Sequence, residues 1–160
     1  MKDSWYDTAQ ICTNGHLINE QLISSPHIDK KFCAKCGAPT ITNCHYCRAT
    51  IRGAYHTPSS VSSWTRPSFC TECGKPYPWT EAALKAAQEL SDELENLSPE
   101  ERSLLKKSLD DIIRDTPQTP VAATRFKRLI TKAGKVAAEG FRDILVDIAS
   151  ETAKKLIWPS

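Results

Sequence analysis

All seven cysteines of the chain lie between Cys12 and Cys73, in four short clusters that have the spacing of metal-ligand pairs. Zinc in structural proteins takes four Cys or His donors in a tetrahedron and leaves no position open. Four pairs of donors therefore predict two structural zinc ions, one held by three cysteines and a histidine and one by four cysteines. The eight predicted ligands are Cys12, His16, Cys33, Cys36, Cys44, Cys47, Cys70 and Cys73.

The spacing within each cluster has a physical reason, because two ligands on one tight turn must point at a common ion. In the first cluster, Asn14-Gly15 is a strong turn dipeptide that brings His16 towards the ion held by Cys12. Gly37 and Gly74 follow the second and fourth clusters, at a turn position that often needs φ > 0. Three CxxC pairs and one CxxxH within about 60 residues make chance a poor explanation.

The sequence leaves two ways to pair the clusters. Successive pairing joins the first cluster to the second and the third to the fourth, whereas a cross-brace joins the first to the third and the second to the fourth. The short connector 37–43 and the long segments inside each site favour successive pairing. A cross-brace would indicate a ubiquitin-ligase-like scaffold.

Other uses of the cysteines have less support. A disulfide framework would leave one thiol over and needs an oxidising compartment, and a thioredoxin-like pair needs a βαβ pattern that the chain lacks. A catalytic zinc remains open if His16 is not a ligand. Iron remains open at the all-cysteine site. His27, His45 and His56 are interpreted as solvated or hydrogen-bonded loop side chains.

Composition indicates a globular chain of 160 residues. No run of 18 apolar residues occurs, which excludes a membrane span, and the first residues lack the pattern of a secretory signal. Thiolates held as metal ligands suit a reducing cytoplasm. The formal charge of +2 falls to about −1 when seven thiolates and two divalent ions are counted, so a strongly basic nucleic-acid footprint is absent.

The pattern predicts an α+β protein with two domains. Residues 1–79 form a tandem zinc ribbon, with short β-hairpins around each ion and too small a core to fold without metal. Residues 80–160 form a helical tail of about three helices, at about 80–96, 98–114 and 121–158. Thr80 is the expected N-cap of the first helix, and Ser98 begins a capping box at the second. Gly134 and Gly140 weaken the third helix, and it can break near either.

The polar face of the third predicted helix is basic first and acidic second. Its basic part contains Arg125 and Arg128, and its acidic part contains Glu139, Asp143, Asp147 and Glu151. That order opposes the helix macrodipole, and an antiparallel second copy would pair the two halves. We therefore expect either self-association, a charged partner helix or a merely solvated face.

The chain resembles an uncharacterised bacterial family catalogued as a domain of unknown function, number twenty-three twenty-one. The resemblance rests on segments 5–12, 14–16, 32–37, 51–53 and 69–81, on the Leu97-Ser-Pro-Glu-Glu motif, and on the tail beginning at Arg142. It implies a bacterial zinc-ribbon protein and supplies no activity.

Three function classes follow from these observations. The first is a non-enzymatic adaptor whose helical tail self-associates or docks a protein, since no catalytic arrangement or open metal position is visible. The second is nucleic-acid binding through Trp64, Arg48, Arg52 and Arg66, with help from the basic residues from Arg125 to Lys135. The third is an enzyme with one catalytic zinc.

Overall fold

The structure is a computed structural model that describes residues 3–159. It has the predicted α+β composition, with short β-strands in the N-terminal part and five α-helices that lie mostly in the C-terminal part. The chain divides into two compact units between Glu81 and Ala82. We call them the zinc unit and the helical unit.

The zinc unit contains two small antiparallel sheets. One pairs β1 with β5, with Trp5 opposite His56 and Tyr6 opposite Tyr55. In the other, β2 is central and pairs with β3 and β4. A single 3-10 turn, Pro26–Ile28, follows β3. The strands are β1 Trp5–Thr8, β2 Gln10–Cys12, β3 Leu17–Asn19, β4 Thr40–Ile41 and β5 Arg52–His56.

The apolar core of the zinc unit is small and lies between the strands and the cysteine turns. Two of the cysteines are themselves part of this core, so apolar burial and metal ligation are built from the same segments. A core of this size needs an additional source of stability, which bound metal supplies in small modules. Its buried members are Ala9, Ile11, Cys44, Ile51, Cys70, Tyr77 and Trp79.

Two of the helices start at a serine whose side chain satisfies one of the first backbone N–H groups. Ser98 accepts a hydrogen bond from Glu101 N, and the Glu101 side chain accepts one from Ser98 N, so the predicted capping box is present. Ser150 caps the last helix in the same way, through Ala153 N. The helices are α1 Pro78–Asp92, α2 Pro99–Ile112, α3 Thr119–Ala133, α4 Lys135–Leu145 and α5 Glu151–Ile157.

The first helix differs from the predicted range 80–96. It begins at Pro78, so Thr80 lies inside its first turn and is not the N-cap. Instead, the Thr80 hydroxyl donates to the carbonyl oxygen of Ser68 over 2.8 Å. Proline is favourable in the first turn of a helix, because its missing N–H is not needed there.

The single helix predicted over 121–158 is wrong, because the structure has three helices there. Gly134 separates α3 from α4 with φ 108° and ψ 166°, which is one of the two breaks considered from the sequence. Gly140 lies inside α4 and causes no break. A side chain there would meet Leu90 at 3.2 Å, so the helix packs closely at this glycine. Residues 146–150 form the second interruption, where Ser150 N donates to Ile112 O over 2.9 Å.

Helix α3 is central to the helical unit and packs against α2, α4 and α5. Phe126 on α3 is completely buried and contacts the ring of Phe141 on α4 edge-on, with 5.5 Å between ring centroids. Leu105 and Leu109 complete the core from α2. None of the helices described is both long and apolar enough to cross a lipid bilayer.

Candidate metal centres

Three segments of the zinc unit, residues 32–39, 43–50 and 69–76, repeat one turn, which we call the knuckle. In the first knuckle, Cys33 N donates to Ala38 O over 2.9 Å, and Gly37 N donates back to Cys33 O over 2.8 Å. The equivalent bonds of the other two knuckles are 2.8 to 2.9 Å long. Each knuckle is also closed by an isolated β-bridge between its first and last residues. This geometry brings both cysteines of a CxxC pair to the same side of the turn.

The residue after the second cysteine of each knuckle has a left-handed backbone. Gly37 and Gly74 both have φ 74°, and Arg48 occupies the same position with φ 68°. Glycine has no Cβ to clash in this region, whereas a residue with a side chain is strained there. Arg48 is the one non-glycine residue with positive φ among the residues described. The second knuckle, residues 43–50, therefore contains local strain that the other two avoid.

The first cluster uses a different turn, between β2 and β3. Cys12 N donates to His16 O over 3.0 Å, and Gly15 N donates to Cys12 O over 2.8 Å. A Cβ at Gly15 would lie 2.3 Å from Arg66 Nη1 and 2.8 Å from Trp79 Cβ, so only glycine fits. The turn directs Nδ1 of His16 towards the sulfur of Cys12, as the Asn-Gly dipeptide predicted.

The first candidate site combines Cys12, His16, Cys33 and Cys36. Nδ1 of His16 lies 3.5 Å from the sulfurs of Cys12 and of Cys33, and the sulfurs of Cys12 and Cys36 are 3.8 Å apart. Zinc bonds of about 2.3 Å to sulfur and about 2.1 Å to nitrogen give tetrahedral edges of about 3.8 Å for S–S and about 3.6 Å for S–N. The donor atoms therefore already have the spacing of a zinc tetrahedron.

The second candidate site combines Cys44, Cys47, Cys70 and Cys73. The sulfurs of Cys44 and Cys73 are 3.8 Å apart, and those of Cys47 and Cys70 are 3.7 Å apart. Both distances equal the tetrahedral S–S edge of about 3.8 Å within 0.1 Å. The two predicted sites are confirmed in composition, and the clusters pair successively rather than as a cross-brace.

The thiols of these sites have strongly different proton affinities. A hydrogen bond from the Asn14 amide lowers the pKa of Cys36 to about 6. Desolvation opposes the Cys70 thiolate, but N–H groups of its own knuckle and the neighbouring thiols lower its pKa to about 6. The N–H of Ala49 favours the thiolate of Cys47, but desolvation and the other three thiols of the site raise its pKa to about 12. Each site thus has a thiolate at neutral pH to bind a cation.

The residues present fit zinc, since the donors are sulfur and imidazole nitrogen at tetrahedral spacing. Cys12, His16, Cys33 and Cys36 would hold one ion, and Cys44, Cys47, Cys70 and Cys73 the other. Zinc ions bound there would cross-link the cysteine turns.

One comparison with known proteins identifies the family of the chain. A family model described as an uncharacterised protein conserved in bacteria, DUF2321, matches residues 5–157. The chain belongs to the DUF2321 family. No curated protein and no solved structure matches it.

Most of the side chains predicted to bind nucleic acid in this DUF2321 chain make contacts within the zinc unit itself. Nε1 of Trp64 donates to Arg52 O over 2.9 Å, and the ring packs on the core. Nη1 of Arg66 donates to Gly15 O over 2.6 Å. The Arg52 guanidinium stacks over Tyr6 at 4.8 Å. Arg48 is exposed.

Of the six charged residues predicted on the tail, five are divided among three helices and one lies between α4 and α5. Arg125 and Arg128 lie on α3 beside an open groove. Glu139 and Asp143 lie on α4 and Asp147 follows it, all exposed. Glu151 begins α5 and pairs with Lys154 over 3.1 Å. Because the helix is interrupted, these residues do not form the continuous basic-then-acidic face that the sequence predicted.

The zinc unit of this DUF2321 chain contains a buried polar cluster around Asp7 that the sequence did not predict. The Asp7 side chain is buried and accepts hydrogen bonds from Ser24 Oγ over 2.6 Å and Ile23 N over 2.8 Å. It also contacts His56, whose ring stacks on Trp5 with centroids 4.3 Å apart. The available signal was an acidic residue within an otherwise apolar and aromatic strand, but its partners come from distant segments.

Proposed function

We propose that this chain is a non-enzymatic, zinc-stabilised binding protein whose helical unit docks an acidic helical segment of a partner protein. The observation that carries the proposal is an open groove between α2 and α3. Its apolar floor contains Leu104, Pro120 and Val121, and its rim contains Arg125 and Arg128. The side chain of Val121 is 52% exposed, which is high for a large apolar residue on a packed helix.

The groove continues along α2. Leu104 lines this cavity of about 660 Å³ and also the neighbouring one of about 420 Å³, which is bordered by Pro99, Glu100 and Lys107. An apolar floor between two helices is the surface on which amphipathic helices commonly dock. The two cavities adjoin at Leu104, so a helix that lies along α2 could contact both.

The charges of the groove favour an acidic occupant. Lys107, Arg125 and Arg128 contribute three cations, and Glu100 is the acidic residue among the groove residues named. Within residues 3–159, neither Arg125 nor Arg128 has a carboxylate within the 4.0 Å of an ion pair. An acidic partner would gain electrostatic complementarity, which raises specificity and the association rate.

The zinc sites support a binding role rather than catalysis. Eight donors complete two tetrahedra, so each ion would have its full set of four protein ligands. A catalytic zinc needs a position for water or substrate. Structural zinc ions instead hold short turns rigid, which suits a protein that presents a fixed surface.

The test is site-specific photocrosslinking of the full zinc-loaded chain in its bacterial host. A photoreactive amino acid replaces Val121 in the groove, and a matched control replaces Val136 on α4, which is 86% exposed. We expect a product at position 121 whose crosslinked peptide is acidic and helical. The product should be lost in Arg125→Glu/Arg128→Glu and kept in Lys85→Glu.

Other outcomes contradict the proposal or change its occupant. A product of the same yield at both positions, or one that survives the double charge reversal, means that the groove is not the docking surface. A crosslinked peptide from residues 135–147 of the chain itself identifies a second copy as the acidic partner. A product that disappears with nuclease supports the nucleic-acid alternative, which the pair Arg125 and Arg128 also favours.

A further inference from the structure

A second and smaller cleft lies in the helical unit, between α3, α4 and the end of α5, with a volume of about 240 Å³. It shares no residue with the α2–α3 groove. Its floor is apolar, and it contains Ile130 and Ile157, each only 4% exposed, together with Trp158. Cavities that bind drug-sized molecules are usually larger, about 300 Å³ or more, so this cleft suits a smaller ligand.

The aromatic wall of the cleft is held by the hydrophobic core. The ring of Trp158 meets Phe126 edge-on at 6.4 Å and 79°, and Phe126 is itself completely buried against Phe141. Edge-to-face pairs of this kind fix the orientation of both rings. Trp158 therefore presents a flat apolar surface without requiring a ligand to position it.

The rim of the cleft has an excess of positive charge. Lys127, Lys135 and Arg142 line it, with Glu139 as the acidic residue among them. Lys127 has a structural explanation, because its Nζ donates to Leu156 O over 3.2 Å at the C-terminal end of α5, where a cation is favourable.

Of the other two cations, Arg142 lies in the last turn of α4, where a cation is favourable for the same reason, whereas Lys135 has no such explanation. Neither Lys135 nor Arg142 has a carboxylate within 4.0 Å in the part of the chain that the structure describes. Lys135 begins α4, whose first turn contains no acidic residue, and a cation at this end of a helix opposes the macrodipole. The position of Lys135 costs stability in the free protein, and an anion in the cleft would compensate for it.

We infer that this cleft binds a small amphiphilic carboxylate, with the carboxylate between Lys135 and Arg142 and its apolar part against Trp158, Ile130 and Ile157. An arginine guanidinium can form two parallel hydrogen bonds to a carboxylate, which makes this pairing strong and directional. The apolar floor selects the rest of the ligand, because it favours a hydrocarbon chain or ring over a bare inorganic anion.

The inference is tested by titrating the full zinc-loaded chain with octanoate and following backbone and indole N–H signals by NMR. We expect octanoate to shift the signals of Trp158 and Ala138. Octylammonium, which has the opposite charge and the same tail, and inorganic phosphate, which has no tail, should each bind at least tenfold more weakly. The variant Lys135→Gln/Arg142→Gln should lose at least tenfold in octanoate affinity.

Controls separate the site from general effects. Lys85→Gln removes an exposed cation from α1 and should leave octanoate binding unchanged. The double variant must keep the helical far-UV signal of the parent, and Arg142→Lys should bind octanoate between the parent and the double variant. The inference is overturned if the folded parent does not bind octanoate, if octylammonium or phosphate binds equally well, or if the double variant binds octanoate as the parent does.

Discussion

The carboxylate of Asp7 lies 2.8 Å from Nε2 of His56 in the interior of the zinc unit. This contact joins β1 to β5, two strands separated by more than forty residues in the sequence. The same carboxylate also accepts hydrogen bonds from the segment after β3, through Ser24 Oγ and Ile23 N. One buried side chain therefore connects three segments that bear no metal ligand, and it contributes to the unit independently of zinc.

Asp7→Ala tests that contribution. Removing the carboxylate leaves several buried donors without a partner, each at a cost of about 1 to 3 kcal/mol. We expect the free energy of unfolding of the zinc unit to fall by about 3 kcal/mol at pH 7, measured by denaturant titration in excess zinc. The control is Glu72→Ala, whose carboxylate is exposed and 3.9 Å from Arg52, and it should change stability by less than about 0.5 kcal/mol.

The effect of Asp7 has a defined pH dependence. Burial alone would raise its pKa, but the hydrogen bonds from Ser24 Oγ and from two backbone N–H groups lower it below the ordinary value of 3.8. A carboxylate with a lowered folded-state pKa stabilises fully above its unfolded pKa and loses this effect as pH falls through the folded value. The difference between the parent and Asp7→Ala should be at least as large at pH 5 as at pH 7. A smaller difference at pH 5 would contradict the lowered pKa.

Metal removal should unfold the zinc unit and leave the helical unit folded. Metal analysis of the full chain should find two zinc ions, and Cys44→Ala/Cys47→Ala should retain one. A strong chelator should abolish the near-UV circular dichroism of Trp64 and Trp79, because the small core of the zinc unit depends on metal. The far-UV helical signal should largely remain, since the helical unit has its own buried aromatic core. Complete loss of the helical signal would show that the helices also require zinc.

Arg48→Gly should stabilise the second knuckle, residues 43–50. Arg48 has φ 68°, a backbone conformation that glycine adopts without a Cβ clash. We expect a gain of about 0.5 to 1 kcal/mol in the free energy of unfolding. The converse change, Gly74→Ala at φ 74°, should cost a similar amount or more. If Arg48→Gly is destabilising in the zinc-loaded chain, the Arg48 side chain makes a contribution larger than its backbone strain.

Arg66→Ala distinguishes a structural arginine from a nucleic-acid contact. Its Nη1 donates to Gly15 O over 2.6 Å, and its guanidinium lies 5.8 Å from the Trp79 ring centroid. Hydrogen bonds from charged groups contribute about 1.5 to 3 kcal/mol, so the zinc unit should lose stability of that order. The control Arg52→Ala removes an exposed guanidinium and should lose about 0.5 kcal/mol. If the two variants are equally stable, Arg66 is again a candidate contact for nucleic acid.

The parts of the protein that depend on local sequence were predictable, and those that depend on distant segments were not. Local spacing identifies all eight donors, because the three CxxC pairs and the Cys12–His16 pair each lie on one turn. The apolar positions of the tail form a continuous stripe, which predicts one long helix. The conformation of Gly134 and the cap at Ser150 interrupt that helix, and the stripe does not reveal them. Asp7 and Arg66 were not recognised as structural residues, because Asp7 contacts residues up to 49 positions away and Arg66 contacts a residue 51 positions away.

Successive pairing of the clusters affects how the chain assembles on the ribosome. The first site needs only residues up to Cys36, so it can take up its metal before the third cluster has been synthesised. The second site closes independently once Cys73 is available. Strand β1 has no partner until β5 at Arg52–His56 has left the exit tunnel. Its backbone N–H and C=O groups are therefore unpaired during that interval. Metal uptake at the first site does not shorten this interval, because the partner strand β5 follows that site in the sequence.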